Sequence, residues 1–291
     1  MLLTTMHRMS EPPFQAPLEN TVVIVGVGLI GGSLAAALRH RRVAQHIIGV
    51  GRDAVRLERA RAAGLIDEVS TDLTKAAARA DVIVFCTPVD RVADGVRLAA
   101  GSVRPETLMT DAGSVKQPIC DAVADITNFI GSHPIAGSHR QGFEAADPQL
   151  YEGRLCVLTP LACSPNSMVT RLDRLWKGVG MRTTRMSPRE HDQALAMTSH
   201  LPHLVAAALA QTLSIQNRPL TGTGFRDTTR IAAGDPHLWT GILMQNAQHV
   251  VAGIEAVHQQ LSKYQTALLE GNAEQIQNLL RDGQQQRAAL D

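Results

Sequence analysis

The sequence predicts a two-domain α/β protein, with a parallel-sheet domain first and an all-helical domain after it. Up to about residue 186, short runs rich in Val and Ile alternate with helical patterns, which is typical of a parallel sheet. From residue 187 to 291 the helical period continues almost without strand signals. With 291 residues and 44% apolar content, the chain can form two cores. We therefore predict a flexible tail over 1–20, the sheet domain over 21–186 and the helical domain over 187–291.

Composition excludes several kinds of partner. The formal net charge is +1 and the charges are interspersed, which argues against nucleic acid and membrane surfaces and for a small-molecule partner. No run of eighteen apolar residues occurs. The four cysteines lack metal-ligand spacing, so we expect reduced, buried thiols and a cytoplasmic protein; they are Cys86, Cys120, Cys156 and Cys163.

The stretch TVVIVGVGLIGGSLAAALRH has the pattern strand, tight turn, helix. Gly26, Gly28 and Gly31 have the G-x-G-x-x-G spacing, which allows a sharp turn, a close approach of the backbone to a pyrophosphate, and tight packing of helix on strand. Leu29 and Ile30 lie at the helix start, where unpaired N–H groups face the phosphates. These five residues predict that the first domain is a Rossmann-type dinucleotide-binding domain.

The second strand, HIIGV, ends just before the position that distinguishes NAD from NADP. An NAD-binding protein usually has an acidic residue there for the ribose hydroxyls, whereas this chain has Gly51 and then Arg52. A guanidinium suits a 2′-phosphate, so the sequence favours NADP, with NAD as the alternative. Arg52 could also be a solvated turn residue. Asp53 is interpreted as the N-cap of the following helix.

Three further strands end in residues that suit a ligand site. DVIVFCTPVD ends at Thr87 and Pro88, which we expect to line the cofactor. TLMT leads to Ser114 in DAGSVK, and NFIGSHP ends at His133. Because parallel strands end at the same edge of a sheet, Ser114 and His133 should lie beside the nicotinamide, although a histidine there could also be structural.

The helical half starts with a capping box, Ser187 and Glu190, and proline at the first helical position. Its first long helix is apolar nearly all round, which suggests a helical core shared between two subunits and hence a homodimer. His200 and His203 lie three apart with a helix-kinking Pro202 between them. They lack a third metal ligand, so we predict no metal site; they could instead be two donors for an anion, or a core histidine and an active-site partner.

Arg230 lies among small, weakly polar residues in GFRDTTRIAAGDPHLW. It could be a surface charge. Because its neighbours leave the guanidinium available, we interpret it as a candidate carboxylate clamp.

The ordered set GVGLIGGS, DAGSVK, GSHPIAGS, TSHLPH and TTRIAAGDPHLW resembles the prephenate/arogenate dehydrogenase family of tyrosine biosynthesis, from about Thr21 to the last helix. The resemblance implies NAD(P)-dependent oxidative decarboxylation of prephenate to 4-hydroxyphenylpyruvate. It further implies that His133 is the catalytic base, that Arg230 binds a carboxylate, and that His203 and His200 contact the substrate. By the same resemblance Trp239 shapes the pocket and Asp192 supports the arginine.

Ser114 is expected to orient the catalytic ring or the nicotinamide. The alternatives are arogenate as substrate, another two-domain dehydrogenase for β-hydroxyacids or imines, and a non-catalytic dinucleotide sensor. Two-domain dehydrogenases for β-hydroxyacids or imines usually have a lysine in the first long helix of the second domain, where this chain has histidines. We expect no regulatory domain after the last helix, so any inhibition by tyrosine would have to occur at the active site.

Overall fold

The computed structural model describes residues 16–137 and 140–290. The chain forms two compact units. The first runs to Ala194 and also includes Ala233–Gln245; the second consists of Leu195–Ala232 and the chain from Asn246 onward. Of the predicted tail, residues 1–15 lie outside the described residues, and the first strand already begins at Glu19.

The first unit contains eight strands and eight of the helices described here. The elements in chain order are β1 (Glu19–Val25), α1 (Leu29–His40), β2 (Ala44–Val50), α2 (Ala54–Ala62), β3 (Glu68–Ser70), α3 (Leu73–Ala77), β4 (Val82–Phe85), α4 (Val89–Ala100), β5 (Leu108–Asp111), α5 (Gln117–Ala122), β6 (Phe129–Pro134), β7 (Leu155–Thr159), α6 (Asn166–Gly178), β8 (Arg182–Arg185) and α7 (Pro188–Leu195). The remaining elements are α8 (Leu201–Gln211), α9 (Thr223–Thr229), α10 (Pro236–Gln245), α11 (Ala247–Leu269) and α12 (Ala273–Ala288), of which α10 belongs to the first unit.

The strands form one sheet in the order β3-β2-β1-β4-β5-β6-β7-β8. The first six follow the 3-2-1-4-5-6 order of the Rossmann fold and are parallel, so the predicted fold class is confirmed. β7 pairs antiparallel with β6 and parallel with β8. The strand order reverses between β1 and β4, which is where this fold opens its ligand crevice.

The sheet is covered on both faces, as its uninterrupted apolar strands require. Alternate residues of β1 belong to different core clusters: Val22 and Ile24 pack on one face, Val23 and Val25 on the other. This alternation follows from the two-residue period of a strand. Trp176 and Tyr151 lie fully buried in the first cluster, with ring centroids 5.9 Å apart.

The sequence analysis did not identify β3 and α3, which have three and five residues. Elements this short carry too few residues for a periodic signal. All four cysteines are free, but the expectation of buried thiols is wrong for Cys163, which is exposed on the turn before α6. Burial raises the pKa of the Cys120 thiol to about 11.

The second unit is helical. Pro202 lies in the first turn of α8, and a π-helical turn over Ala196–His200 comes directly before it. A π-turn accommodates the hydrogen bond that a proline cannot donate, so the expected irregularity at Pro202 takes this form. No helix in the described part of the chain is long and apolar enough to cross a membrane.

The compact units divide eight residues later than the boundary predicted at 187. Helix α7 begins with the predicted capping box: Ser187 Oγ accepts from the N–H of Glu190 at 3.2 Å, and the Glu190 carboxylate accepts from the N–H of Ser187 at 2.8 Å. The helix nevertheless belongs to the first unit, because His191 and Asp192 make buried hydrogen bonds there.

Candidate active site

The glycine loop after β1 has the geometry that a pyrophosphate needs. Gly26 has φ +95°, and a Cβ there would lie 2.8 Å from the carbonyl oxygen of Cys86. A Cβ on Gly31 would lie 2.1 Å from the carbonyl oxygen of Gly26, so helix α1 packs directly on the turn. A Cβ on Gly28 would meet nothing within 4 Å, which leaves open space in front of the helix N-terminus. Leu29 and Ile30 form the first turn of α1, where no side chain caps the helix.

Thr87 lies beside this loop, one strand away. Its buried Oγ1 has no hydrogen-bond partner among the described residues. A buried hydroxyl is normally satisfied, so a missing partner indicates a ligand that completes it. Together with the glycine turn, Thr87 and the neighbouring Pro88 at the N-terminus of α4 fit a dinucleotide.

Arg52 is exposed two residues after the end of β2, beside Gly51. Asp53 is the N-cap of α2: its Oδ1 accepts from the N–H of Arg56 at 3.0 Å, which confirms its interpretation as a cap. The Asp53 carboxylate is therefore engaged with its own helix. Arg52 is the residue at this strand end with the charge to bind a 2′-phosphate.

Ser114 and His133 follow neighbouring parallel strands, as predicted. β5 and β6 pair in parallel through Met109 and Phe129, so both strands end at the same edge of the sheet. Ser114 is half-buried in the bend after β5, and His133 is 8% exposed near the end of β6. The edge that receives the glycine turn therefore also carries both predicted catalytic residues.

The Ser114 loop is anchored by a buried ion pair. Lys116 and Asp111 are both 0% exposed, and the Lys116 ammonium donates to the Asp111 carboxylate and, at 2.9 Å, to the carbonyl oxygen of Ser132. Asp111 also accepts from the N–H of Ser132 at 3.1 Å and of Gly113 at 2.9 Å. This pair ties the end of β5 to the residue before His133.

Asp192 lies in a second buried network. Its carboxylate accepts from the N–H groups of Lys116 at 2.7 Å and Gln117 at 2.8 Å. Nδ1 of His191 lies 2.7 Å from the same carboxylate, and Nε2 of His191 lies 2.9 Å from Nδ1 of His133. The predicted base is thus joined to Asp192 through a second imidazole. The role that the resemblance gave Asp192, support of Arg230, stays a prediction.

Burial lowers the pKa of His191 below its usual value, although the neighbouring Asp192 carboxylate opposes this effect. The ring is therefore neutral near pH 7.

The other predicted substrate residues divide between the two units. Trp239 is half-buried on α10 in the first unit. His200, His203 and Arg230 belong to the second unit. His200 is buried, with Nδ1 3.0 Å from the amide nitrogen of Asn246, and burial lowers the pKa of His203. Arg230 is exposed where α9 ends.

The sequence analysis gave no role to Lys116 or to His191. The signal for Lys116 was its place in DAGSVK, five residues after the carboxylate that it binds. His191 carries no local signal, because its partner His133 is 58 residues away in the chain.

The Rossmann sheet carries three features at its strand ends: the glycine turn, a buried threonine hydroxyl without a hydrogen-bond partner among the described residues, and an imidazole. Together they define a nicotinamide-dependent dehydrogenase. Residues 34–185 match the family model of the prephenate dehydrogenase nucleotide-binding domain, and residues 187–282 match that of the prephenate dehydrogenase dimerization domain. The chain belongs to the prephenate dehydrogenase family.

Individual relatives agree with this assignment. Prephenate dehydrogenase of Bacillus subtilis is 31% identical over 94% of this chain and 76% of its own length. The crystal structure of prephenate dehydrogenase from Aquifex aeolicus with hydroxyphenyl propionate and NAD+ has a TM-score of 0.87, 31% identity, and coverage of 94% of this chain and 98% of that one. Synechocystis arogenate dehydrogenase has a TM-score of 0.82, 31% identity, and coverage of 93% and 100%.

Proposed function

We propose that this enzyme oxidatively decarboxylates prephenate to 4-hydroxyphenylpyruvate, with NAD or NADP as the hydride acceptor, in tyrosine biosynthesis. The observation that carries the proposal is the buried imidazole of His133 at the strand edge that also holds the glycine turn. Matches of both family domains, over residues 34–185 and 187–282, support it.

His133 supplies the base of this reaction. As hydride leaves the ring carbon that bears the hydroxyl, that carbon becomes carbonyl-like and its hydroxyl becomes acidic. A neutral imidazole accepts the hydroxyl hydrogen bond, stabilises the developing positive charge, and returns the proton to the phenolic oxygen after carbon dioxide is lost. General-base catalysis of this kind contributes about 10²–10⁴-fold. Ser114, on the neighbouring strand end, orients the imidazole or the nicotinamide.

The substrate carries two carboxylates, which need cationic or hydrogen-bonding partners when they leave water. Arg230 binds one of them as a bidentate donor. His203 and His200 contact the substrate, and Trp239 shapes the pocket; for these roles the resemblance in TSHLPH and TTRIAAGDPHLW is the support. Asp192 supports the arginine, as the family resemblance implies.

The bound nicotinamide dinucleotide supplies the hydride acceptor. Gly26, Gly28 and Gly31 and the first turn of α1 hold its pyrophosphate, and Thr87 and Pro88 line it. Arg52 favours NADP over NAD, because it is exposed at the β2 end and Asp53 is engaged as a helix cap. We also propose a cytoplasmic location, which the four free cysteines support.

Arogenate is the second candidate substrate. The likeness to Synechocystis arogenate dehydrogenase, at 31% identity, favours keeping it. Prephenate and arogenate differ at the side-chain α-carbon, keto against amino, and the reacting ring is the same. The two substrates therefore require the same base and differ in how the side chain is bound.

We further propose that the enzyme is a homodimer formed through its helical unit. The match to a dimerization domain over residues 187–282 supports this. Helix α11 also exposes apolar side chains at heptad spacing: Ile254, Leu261 and Leu268 are 39%, 60% and 66% exposed. Residues seven apart share one helix face, which is the pattern of a helix–helix seam.

The deciding experiment follows reduced nicotinamide by its ultraviolet absorbance, with purified protein, prephenate or arogenate, and NADP or NAD in parallel. We expect turnover with prephenate, fastest with NADP, and a loss of about 10²–10⁴-fold in kcat for His133→Asn with cofactor binding retained. His40→Asn, which changes an exposed histidine at the end of α1, is the matched control and should keep full activity. An absence of turnover with either substrate would refute the proposed function.

A further inference from the structure

Three side chains form a buried chain that ends at the proposed base. Asp192, His191 and His133 are 1%, 0% and 8% exposed. Their contacts are 2.7 Å from the Asp192 carboxylate to Nδ1 of His191, and 2.9 Å from Nε2 of His191 to Nδ1 of His133. The imidazole rings meet edge to face, with centroids 5.1 Å apart. The inference below rests on the proposed function, since it concerns the base of that reaction.

The contacts determine which nitrogen carries each proton. The Asp192 carboxylate already accepts from two backbone N–H groups, so Nδ1 of His191 is the donor in its contact with this carboxylate. In a neutral His191 ring, Nε2 then has no proton and accepts. The donor across the 2.9 Å contact is therefore Nδ1 of His133. A neutral His133 ring with its proton on Nδ1 has its lone pair on Nε2.

We propose that His191 is a positioning residue, which holds His133 in the tautomer whose Nε2 accepts the substrate proton and which stabilises the imidazolium that then forms. Asp192 completes the device by fixing the orientation of His191. A single wrong tautomer of a catalytic histidine is costly, because the lone pair then faces away from the substrate.

The charges around His191 suit this role. The groups that face it are the Lys116 ammonium and Asp111 carboxylate from the β5 end, the Asp192 carboxylate on its own helix, and the His133 ring on β6. Two carboxylates against one ammonium leave an excess negative charge beside the imidazole pair. This excess stabilises one proton shared by the pair during the reaction. Burial, which lowers the pKa of His191, keeps its Nε2 an acceptor before the reaction.

The test compares His191→Leu with His191→Gln in the full-length enzyme. Leucine cannot accept from His133, whereas the glutamine carbonyl can reach the place of Nε2 and accept. We expect His191→Leu to lower kcat by at least about tenfold. The loss should not exceed the roughly 10²–10⁴-fold that general-base catalysis by His133 contributes in total. The acid limb of its kcat/KM profile should move to lower pH, because the His133 imidazolium loses its acceptor. His191→Gln should recover most of kcat and the position of the limb. Gln193→Leu, at an exposed position on the same helix, is the matched control.

A second readout does not require catalysis. Ring ¹⁵N chemical shifts of His133 in the unliganded protein should show the proton on Nδ1 in the wild type and in His191→Gln, and a shift of protonation towards Nε2 in His191→Leu. A wild-type ring protonated on Nε2, or an unchanged tautomer and pH profile in His191→Leu, would overturn the proposal. If His191→Leu does not fold, the wild-type tautomer and the glutamine variant still decide it. Failure of the proposed function would instead show as no wild-type turnover while the tautomer remains measurable.

Discussion

The two compact units of this protein differ in what they bury. At the ligand edge of the first unit, charged and polar side chains lie inside: Asp111, Lys116, His191 and Asp192 are each at most 1% exposed and each hydrogen-bonded. In the second unit, apolar side chains lie outside, as on α11. At this edge the first unit therefore pairs the charged groups that it buries, whereas the second unit exposes a row of apolar side chains on α11, which we propose a second copy of the chain covers.

This difference separates two kinds of dependence. The ligand edge depends on pairs of groups that were desolvated together, so loss of one member leaves the other unsatisfied. In the proposed dimer, the helical face depends on buried apolar area, whose contribution to stability is not directional. Three experiments probe this contrast.

The largest effect is expected from breaking the buried ion pair. Lys116→Met leaves the Asp111 carboxylate buried without its cation, so the free energy of unfolding should fall by about 3–5 kcal/mol. Urea denaturation measures the loss. The double variant Lys116→Met with Asp111→Asn removes both charges and keeps an acceptor oxygen for one of the two N–H groups, that of Ser132 or that of Gly113, so it should recover part of the stability. An unchanged midpoint for the single variant would contradict this account of the first unit.

An intermediate effect is expected on the helical face. Leu261→Glu places a carboxylate at the centre of the heptad-spaced row on α11, and burying an unpaired charge costs several kcal/mol. The dissociation constant of the proposed dimer should therefore rise about 100-fold or more. Sedimentation over a concentration series measures it. Val55→Glu, at a 73% exposed apolar residue on α2, is the matched control and should leave the mass unchanged. A Leu261→Glu protein that sediments as the wild type would show that this face is not the interface.

The smallest effect is a pH dependence of stability that belongs to the first unit. Burial lowers the pKa of His191 in the folded protein, so the unfolded chain binds the proton more readily. Stability is then fully present above the unfolded pKa of about 6.5 and is lost as pH falls below it. The urea midpoint should therefore drop between about pH 7 and pH 5, and His191→Gln should reduce the drop. His203, whose pKa burial also lowers, leaves a residual dependence in that variant. Identical slopes for the two proteins would mean that His191 does not carry the linkage.

The parts of this molecule that local sequence decides were predictable. The glycine turn, the cap at Asp53 and the capping box of Ser187 and Glu190 each involve residues within about five positions of one another, so their chemistry can be read directly. The ends of β5 and β6 were also predictable, because parallel strands must end at one edge.

The tertiary structure alone decided which of these local features meet. His133 contacts His191 across 58 residues of chain, and Lys116 contacts Asp192 across 76. The antiparallel direction of β7 and the membership of α10 in the first unit were likewise invisible in the pattern. A local pattern fixes the period and the caps of an element. Partners distant in the chain are selected by the free energy of desolvating and pairing them in one packed core, which no short stretch encodes by itself.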